Sequence, residues 1–367
     1  MITNNTPIQQ LNVQHKVVAV AAINIQCIVS RHWGRKKAAS TELEQFNKRL
    51  QDSGLSDKKE LLIRVFQNDK SLTTLDLWDY IIGHAGATAI GEALEQNSTL
   101  TRLILNDNDE IRDAGASALA EALKHNKTLT ELYLAGNNIG DAGASAIAKA
   151  LKHNKALSVL YLSDNRIGAA GAIAIAKALK HNKTLTELYL SDNRIGAAGA
   201  SAIAKALKHN KALTELYLCD NRIGVDGAIA ITDALEHNTT LTSLYLGRNH
   251  IGVDGAIAIA EALQHNKALT GLGFYNNNIG NAGARALAEA LKDNTTLTRL
   301  DLRGNNIGSP GATALGKALQ HNEELTELNL WSNQIRAAIN KHINEKIERN
   351  KLVNECKDAL RSVYPEL

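Results

Sequence analysis

The chain has 367 residues and a formal net charge of +3, because 41 lysines and arginines nearly balance 38 aspartates and glutamates. Such a balance gives no general attraction to a nucleic acid or to a membrane. The three cysteines, Cys27, Cys219 and Cys356, are odd in number and far apart. They therefore imply no disulfide framework and favour a reducing compartment such as the cytoplasm.

Residues 1–71 are expected to form an N-terminal helical cap. Residues 17–29 are apolar but too few to span a bilayer, and basic residues follow them, unlike in a secretory signal. We expect a buried helix that packs on the first repeat, with a short membrane-surface segment as the alternative. Two capping helices are expected within residues 40–69, and residues 57–69 resemble the helix of a repeat without its strand.

A unit of 28 residues then repeats along the chain. Residues 157–184 and 185–212 are identical at 24 of 28 positions. All steps between units have this length except the one before Leu129, which has 29 residues. A fixed period of this size indicates a solenoid. Nine units and an altered tenth begin at Leu72, Leu100, Leu129, Leu157, Leu185, Leu213, Leu241, Leu269, Leu297 and Leu325.

Each unit contains a strand pattern followed by a helix pattern. Leu188 and Leu190 point one way and Tyr189 the other, and this period of two predicts a short strand. Apolar residues such as Ala200 and Leu207 then recur at helical spacing. One strand and one helix cannot bury their apolar faces alone. The units are therefore expected to stack into a parallel sheet lined by helices.

The pattern L-x-x-L-x-L-x-x-N-x-I-G, followed by G-A-x-A-[IL]-A-x-A-L, resembles the leucine-rich repeat of the ribonuclease-inhibitor type over about residues 72–336. The resemblance implies an α/β solenoid shaped as a horseshoe, with the parallel sheet on the concave face and α-helices on the convex face. Near-identical repeats rich in Asn, Lys and Ile are also similar to the leucine-rich-repeat effectors of intracellular bacteria. Such proteins mostly bind other proteins, and the fold alone does not identify the partner.

A C-terminal helical cap is expected over residues 337–367. Residues 337–350 lose the glycine–alanine pattern and gain charged side chains, which supply the polar outer face that a terminal repeat needs. Residues 352–363 are expected to add a last helix. The predicted organisation is thus an N-terminal cap over residues 1–71, a solenoid of about ten repeats over residues 72–336, and this C-terminal cap.

Polar residues at fixed places in the repeat have structural explanations. Asn165 and Asn193 follow the strand, where an amide satisfies backbone groups that leave the sheet. Asn182 and Asn210 lie at the helix end, where we expect left-handed C-caps. Histidines also recur in the last helical turn, where they suit the helix dipole. They are His125, His153, His181, His209, His237, His265 and His321.

No sequence pattern indicates an enzyme. There is no phosphate-binding Gly-Lys loop, no zinc-ligand spacing and no nucleophile elbow. Histidines on neighbouring helices, about 8–10 Å apart, are poorly placed to share a metal that needs bonds of about 2 Å. We therefore expect neither catalytic residues nor a metal or cofactor. The alternative is a GTPase-activating or other enzyme-regulating protein, because the Ran GTPase-activating protein has the same repeat type.

One variable position in each strand is occupied by tyrosine in five consecutive repeats. Its side chain lies between two core leucines and points to the concave face. Parallel strands lie about 4.8 Å apart, so the rings are expected to form a stripe of roughly 20 Å. Tyrosine is enriched at interface hot spots, although duplication and strand propensity also explain the repetition. The residues are Tyr133, Tyr161, Tyr189, Tyr217 and Tyr245.

Acidic residues flank the tyrosines. Glu187 and Glu215 precede the strand leucine, Asp192 and Asp220 follow the strand, and Arg194 is expected to pair with an aspartate of a neighbouring repeat. These four acids and the five tyrosines are predicted to bind another protein with a basic surface, such as a host protein in the host cytosol if the chain is an effector. Charge steering favours this pairing.

No small-molecule substrate or nucleic acid is expected as a partner, and membrane contact is not expected either. Lysines do stack along the predicted helices, as at Lys149, Lys177 and Lys205. A solvated helix face explains such charges, and nucleic-acid binding is not expected without aromatic residues on the same surface.

Overall fold

The computed structural model describes Glu44 and residues 59–363. The chain divides into two compact units, Met1–Lys59 and Glu60–Leu367, and the second contains the repeats. The expectations for residues 17–29 and for the first capping helix lie outside the described residues. The predicted helix over residues 57–69 is present as α1, Lys59–Phe66.

Ten short strands form one parallel sheet in the order of the chain. Each strand pairs with the next so that equivalent residues lie opposite each other, as Leu160 and Leu188 do. The constant repeat length imposes this register. The strands are β1 (Thr74–Asp76), β2 (Arg102–Ile104), β3 (Glu131–Tyr133), β4 (Val159–Tyr161), β5 (Glu187–Tyr189), β6 (Glu215–Tyr217), β7 (Ser243–Tyr245), β8 (Gly271–Gly273), β9 (Arg299–Asp301) and β10 (Glu327–Asn329).

Helices alternate with the strands and pack side by side. This alternation confirms the predicted α/β leucine-rich-repeat solenoid. After α1, the helices of the described part are α2 (His84–Gln96), α3 (Arg112–His125), α4 (Asp141–Leu151), α5 (Ala169–Leu179), α6 (Gly196–Leu207), α7 (Gly224–His237), α8 (Gly252–His265), α9 (Gly280–Asp293), α10 (Ser309–Ala318) and α11 (Ala337–Val363).

The core lies between the strands and the helices. The leucines of β1–β9 are buried, and Leu188 and Leu190 are fully so, as are the inward residues of the helices between the strands. Leu328 in the last strand is half-buried. The recurrent glycine in the first helical turn allows neighbouring helices to approach. At Gly199, a Cβ atom would lie 2.5 Å from Ile195 Cγ2 and 2.9 Å from Ala172 Cβ, which is closer than real Cβ contacts.

Two ladders of buried asparagines make hydrogen bonds to backbone amide and carbonyl groups on either side of the core. After the strands, Asn193 Nδ2 donates to the carbonyl oxygens of Leu162 at 2.9 Å and Leu190 at 3.1 Å. Its Oδ1 atom accepts from the amide of Ile167 at 2.9 Å. These bonds join consecutive repeats, so the predicted structural role of the post-strand asparagines is confirmed.

The second ladder corrects the expectation of left-handed C-caps at Asn182 and Asn210. Neither residue has a positive φ, and the equivalent Asn126 is extended, with φ −68° and ψ 131°. Instead, Asn182 Nδ2 donates to Leu151 of the preceding repeat at 2.8 Å, and its Oδ1 accepts from the amide of Leu185 at 2.8 Å. The side chain thus satisfies both the end of the neighbouring helix and the turn after it.

The C-terminal segment forms one continuous helix, Ala337–Val363, rather than the two that were expected. No proline or glycine interrupts it, so nothing ends the helix before residue 352. Ile343 and Asn350 are buried, and Asn350 Nδ2 donates to Asn322 at 2.9 Å, which extends the asparagine ladder into α11. Within the described range, no helix is long and apolar enough to cross a membrane.

Candidate interaction surface

The five tyrosines lie in one row across β3–β7, because each is the last residue of its strand and the strands pair in register. We call this row the tyrosine stripe. Successive ring centroids are 4.4, 3.7, 4.1 and 4.4 Å apart, and the rings are close to parallel. The rings cover each other's faces and are half-buried. A partner therefore meets ring edges and hydroxyl groups rather than open aromatic faces.

Three tyrosine hydroxyls bind glutamates of their own strands, a feature that the sequence analysis missed. Tyr189 donates to Glu187 Oε2 at 2.9 Å, and Tyr217 donates to Glu215 Oε2 at 2.8 Å. Tyr133 makes the equivalent bond to Glu131 at 2.8 Å. Residues two apart in a strand share a face, and this spacing was the available signal. Glu187 and Glu215 thus belong to the same structural feature as the stripe.

The surroundings keep the tyrosine hydroxyls protonated. Burial, followed by the hydrogen bond to Glu131, raises the pKa of Tyr133 to about 12. Burial also raises the pKa of Tyr189, as do hydrogen bonds to Tyr161 and Glu187. Burial and Glu215 raise the pKa of Tyr217 in the same way. Near neutral pH these three tyrosines therefore present neutral hydroxyls beside the glutamate side chains that accept their hydrogen bonds.

The aspartate row has a backbone explanation as well as a charge. Asp192 and Asp220 have φ values of 55° and 53°, in the left-handed region, where Asp, Asn and Gly are the favoured residues. The equivalent positions of the other repeats are also occupied by Asp, Asn or Gly, except for Arg248 and Ser332. These positions are Asp79, Asp107, Gly136, Asp164, Asp192, Asp220, Arg248, Asn276, Gly304 and Ser332.

Arginines neutralise the glutamates and aspartates that flank the tyrosine stripe at its two ends. Arg102 pairs with Glu131 at 2.6 Å, and Arg248 pairs with Asp220 at 3.3 Å. The expected ion pair between Arg194 and an aspartate was wrong, because Arg194 makes no ion pair with any described residue. Arg248 reaches Asp220 instead, because it occupies the aspartate position of the next repeat. In the same part of the chain, the centre of the stripe has no such neutralisation.

The unpaired acids surround Tyr189. Glu187, Glu215 and Asp192 make no ion pair with any described residue. Burial raises the pKa of Asp192, and the charges of Asp220 and Asp164 raise it further, whereas the charge of Arg248 lowers it by a smaller amount. The repulsion between these aspartates is a physical sign of concentrated negative charge.

A cavity of about 570 Å³ lies where the stripe ends. The Tyr245 ring occupies the space over Gly273, where a Cβ atom would be 2.4 Å from Tyr245 Cδ1. Beyond it, Arg299, Trp331 and Lys351 contribute to the cavity wall, and Trp331 is 77% exposed. The sequence did not predict this cavity, because its wall depends on the path of α11.

One group on the helical side has the residue types of a metal site. Ligand atoms of Asp233, Glu236 and His237 lie within 4.8 Å of one another, and all three residues are exposed. However, the Asp233 carboxylate pairs with Lys208, and His237 Nδ1 is hydrogen-bonded to the Asp233 carbonyl oxygen at 2.8 Å. Two of the three side chains already have partners, so we assign no metal to this group.

Two family models match the repetitive part of the chain. The TMOD/LMOD leucine-rich domain matches residues 88–201. The leucine rich repeat family matches residues 209–231, 237–260 and 293–316. No curated protein is significantly similar in sequence.

Three solved structures are similar to parts of the chain. Leiomodin-1 actin-binding site 2 is 29% identical, with a TM-score of 0.36 over 50% of this chain and 89% of its own. The tropomodulin C-terminal domain of Caenorhabditis elegans is 14% identical, with a TM-score of 0.37 over 42% and 93%. The yeast Rad7 and Elc1 complex is 15% identical, with a TM-score of 0.44 over 94% and 91%. The repeat period, the one-strand, one-helix unit and the two family models together show that the chain contains leucine-rich repeats arranged as an α/β solenoid.

Proposed function

We propose that the chain is a non-enzymatic scaffold that holds a basic segment of another protein against the tyrosine stripe. The observation that carries the proposal is the stack of five tyrosines, with ring centroids as close as 3.7 Å, bordered by Glu187, Glu215 and Asp192, which make no ion pair with any described residue. The leucine-rich-repeat family matches support a role in protein interaction.

The charge arrangement favours a cationic partner. Glu187 and Glu215 lie directly opposite each other on neighbouring strands, and like charges in this position are destabilising. Each glutamate uses Oε2 to accept a tyrosine hydroxyl, which leaves Oε1 for a second donor. A lysine or arginine of the partner would remove the repulsion and gain charge-assisted hydrogen bonds.

The stacking favours binding in a second way. Each ring is fixed by its neighbours before the partner arrives, so little side-chain entropy remains to be lost. Because the ring faces are covered, the partner's cations bind the carboxylates, and its apolar atoms pack against ring edges. The stripe thus fits an extended segment in which basic and apolar side chains are mixed.

We extend the proposal to a host protein as the partner and to the host cytosol as the place of action. The support is the resemblance of these near-identical repeats of the ribonuclease-inhibitor type to effectors of intracellular bacteria. The three cysteines are few and far apart in the sequence, which is consistent with a reducing compartment.

The test is a titration with a basic peptide selected from an immobilised array of Lys- and Arg-containing sequences. The affinities of the wild-type chain and of the double variant Tyr189→Ala/Tyr217→Ala are compared. Truncating a hot spot costs about 2 kcal/mol or more, so we expect at least about a thirtyfold loss of affinity. Glu187→Gln/Glu215→Gln should weaken binding and flatten its salt dependence.

The matched control is Glu261→Gln/Glu289→Gln, which removes two exposed glutamates from the helical side and should leave the affinity within about twofold. Thermal melting checks that each variant is folded. Equal losses in the stripe and control variants, or selection of acidic rather than basic peptides, would contradict the proposal.

A further inference from the structure

Nine lysines cluster on the helical side of three consecutive repeats. They project from α4, α5 and α6 and from the turns that follow these helices. Their positions repeat every 28 residues, so they form three rows across the helices. We call this cluster the lysine patch. Its members are Lys149, Lys152, Lys155, Lys177, Lys180, Lys183, Lys205, Lys208 and Lys211.

The charge of the lysine patch is almost entirely unneutralised. Lys208 pairs with Asp233, whereas the other eight lysines are exposed and make no ion pair with a described residue. The one acid within α4–α6 is Asp141. Its Oδ1 atom accepts from the amides of Gly168 at 2.8 Å and Gly171 at 2.7 Å, so it serves the backbone of the next repeat.

One row of the patch has sharp limits along the solenoid. In the row that contains Lys149, the preceding repeat has Glu121 and the following one has Asp233. The acids that balance the lysines in the overall charge of +3 include Glu131 and Glu187 on the opposite, strand side of the same repeats. Net charge therefore gave no indication of this surface, because the two signs are segregated onto different faces.

The residue types of the patch favour one kind of anion. Helices α4–α6 and the turns after them contain no arginine, tryptophan, tyrosine or phenylalanine. Bidentate phosphate contacts and base stacking, on which nucleic-acid recognition relies, are therefore missing. Neighbouring helices lie about 8–10 Å apart, so the lysines form a two-dimensional grid rather than a line. We propose that the lysine patch binds the surface of a bilayer that contains anionic lipids.

A cleft at the edge of the patch gives a place for a phosphate-bearing headgroup. It measures about 390 Å³ and lies between the ends of α3 and α4. Lys127, His153 and Lys155 are among its lining residues, and all three are exposed. The lysine patch thus combines a broad field of positive charge with a recess of headgroup size at its border.

The test measures co-sedimentation of the full chain with vesicles. One set is phosphatidylcholine alone, and the other contains about one third phosphatidylserine. We expect binding to the second set only, with an affinity that falls as salt is added. A lysine near an anionic surface contributes about a fivefold increase in affinity. Lys152→Glu/Lys177→Glu/Lys180→Glu should therefore reduce binding at least about a hundredfold.

The matched control is Lys267→Glu/Lys317→Glu/Lys341→Glu, which makes the same change of net charge outside the patch and should reduce binding by only a few-fold. Far-UV circular dichroism checks the fold, and Lys→Gln changes at the three patch positions replace the reversals if these unfold. The proposal is overturned if the wild-type chain does not bind the anionic vesicles, or if both triple variants lose binding equally. It is also overturned if the chain binds duplex RNA more tightly than vesicles and this binding depends on the same lysines.

Discussion

The hydroxyl of Tyr189 donates a 2.9 Å hydrogen bond to Glu187, two residues earlier in β5. The bond fixes the glutamate beside an aromatic stack instead of leaving it free in solvent. Burial raises the pKa of this phenol, and the bond to Glu187 adds to the effect, because an ionised phenol would lie against a carboxylate. Ring stacking and negative charge on this surface are therefore coupled, and a change in one is expected to alter the other.

The stability of the protein should fall at high pH as the tyrosine stripe ionises. The pKa of Tyr133 is raised to about 12 in the folded chain, against about 10 in an unfolded one. A raised pKa gives stability that is fully present below pH 10 and is lost as the pH rises through 12. Urea midpoints measured between these values should decline less in Tyr133→Phe than in the wild-type chain. Parallel profiles for the two proteins would contradict this.

The post-strand asparagine ladder should be essential for stability. Asn193 is buried and donates to the carbonyl oxygens of Leu162 and Leu190. Asn193→Ala leaves these groups without their donor, which typically costs about 1–3 kcal/mol. Urea denaturation measures the loss, and Asn344→Ala, at an exposed position in α11, is the control and should change little. If both variants unfold at the same urea concentration, the ladder does not stabilise the repeats.

A cavity in the middle of the core should uncouple the two halves of the solenoid. Leu188 is fully buried, and Leu188→Ala should cost about 2–5 kcal/mol. Each repeat depends on its neighbours, so the damage is expected to separate the flanking repeats thermodynamically. The thermal transition should broaden or split, whereas the exposed change Glu236→Ala should leave it single. An unchanged midpoint and width for Leu188→Ala would contradict the assignment of this leucine to the core.

The fold was predictable because burial and a constant repeat length determine it. The alternation of Leu188, Tyr189 and Leu190 identifies the strand, and equal spacing places each strand in register with the next. The structure of the C-terminal segment was harder to predict. Its helix has no repeat pattern, and only the absence of a breaker before residue 352 indicates that it is continuous.

The candidate surface was predictable in position but not in detail. Repeat alignment places the tyrosines in one row, whereas ring stacking and the bond from Tyr189 to Glu187 depend on side-chain rotamers. The aspartate row was explained by charge alone, although the alternation of aspartate with glycine and asparagine at equivalent positions already indicated a left-handed backbone. The pair of Arg248 with Asp220 required a comparison of the same column in successive repeats.

The last prediction concerns Cys219, which lies on the strand side and is only 7% exposed. Burial raises the pKa of its thiol, and the Tyr275 side chain forms a hydrogen bond with it. The Tyr275 ring lies over Gly247, where a Cβ atom would be 2.1 Å from Tyr275 Cε1. Gly247→Ala must therefore displace the ring and uncover the thiol.

The thiolate is the reactive form of cysteine, so Cys219 should react slowly with a thiol reagent until the ring moves. The measurement uses a Cys27→Ser/Cys356→Ser background, in which Cys219 is the one thiol that can be labelled. In this background, Gly247→Ala should raise the labelling rate of the native protein at least about tenfold. Gly83→Ala is a suitable control, because a Cβ atom there meets nothing within 4 Å. Equal labelling rates in the two alanine variants would mean that Tyr275 does not shield the thiol. A higher rate in Gly247→Ala alone would show that the side chain of one repeat protects a residue two repeats away.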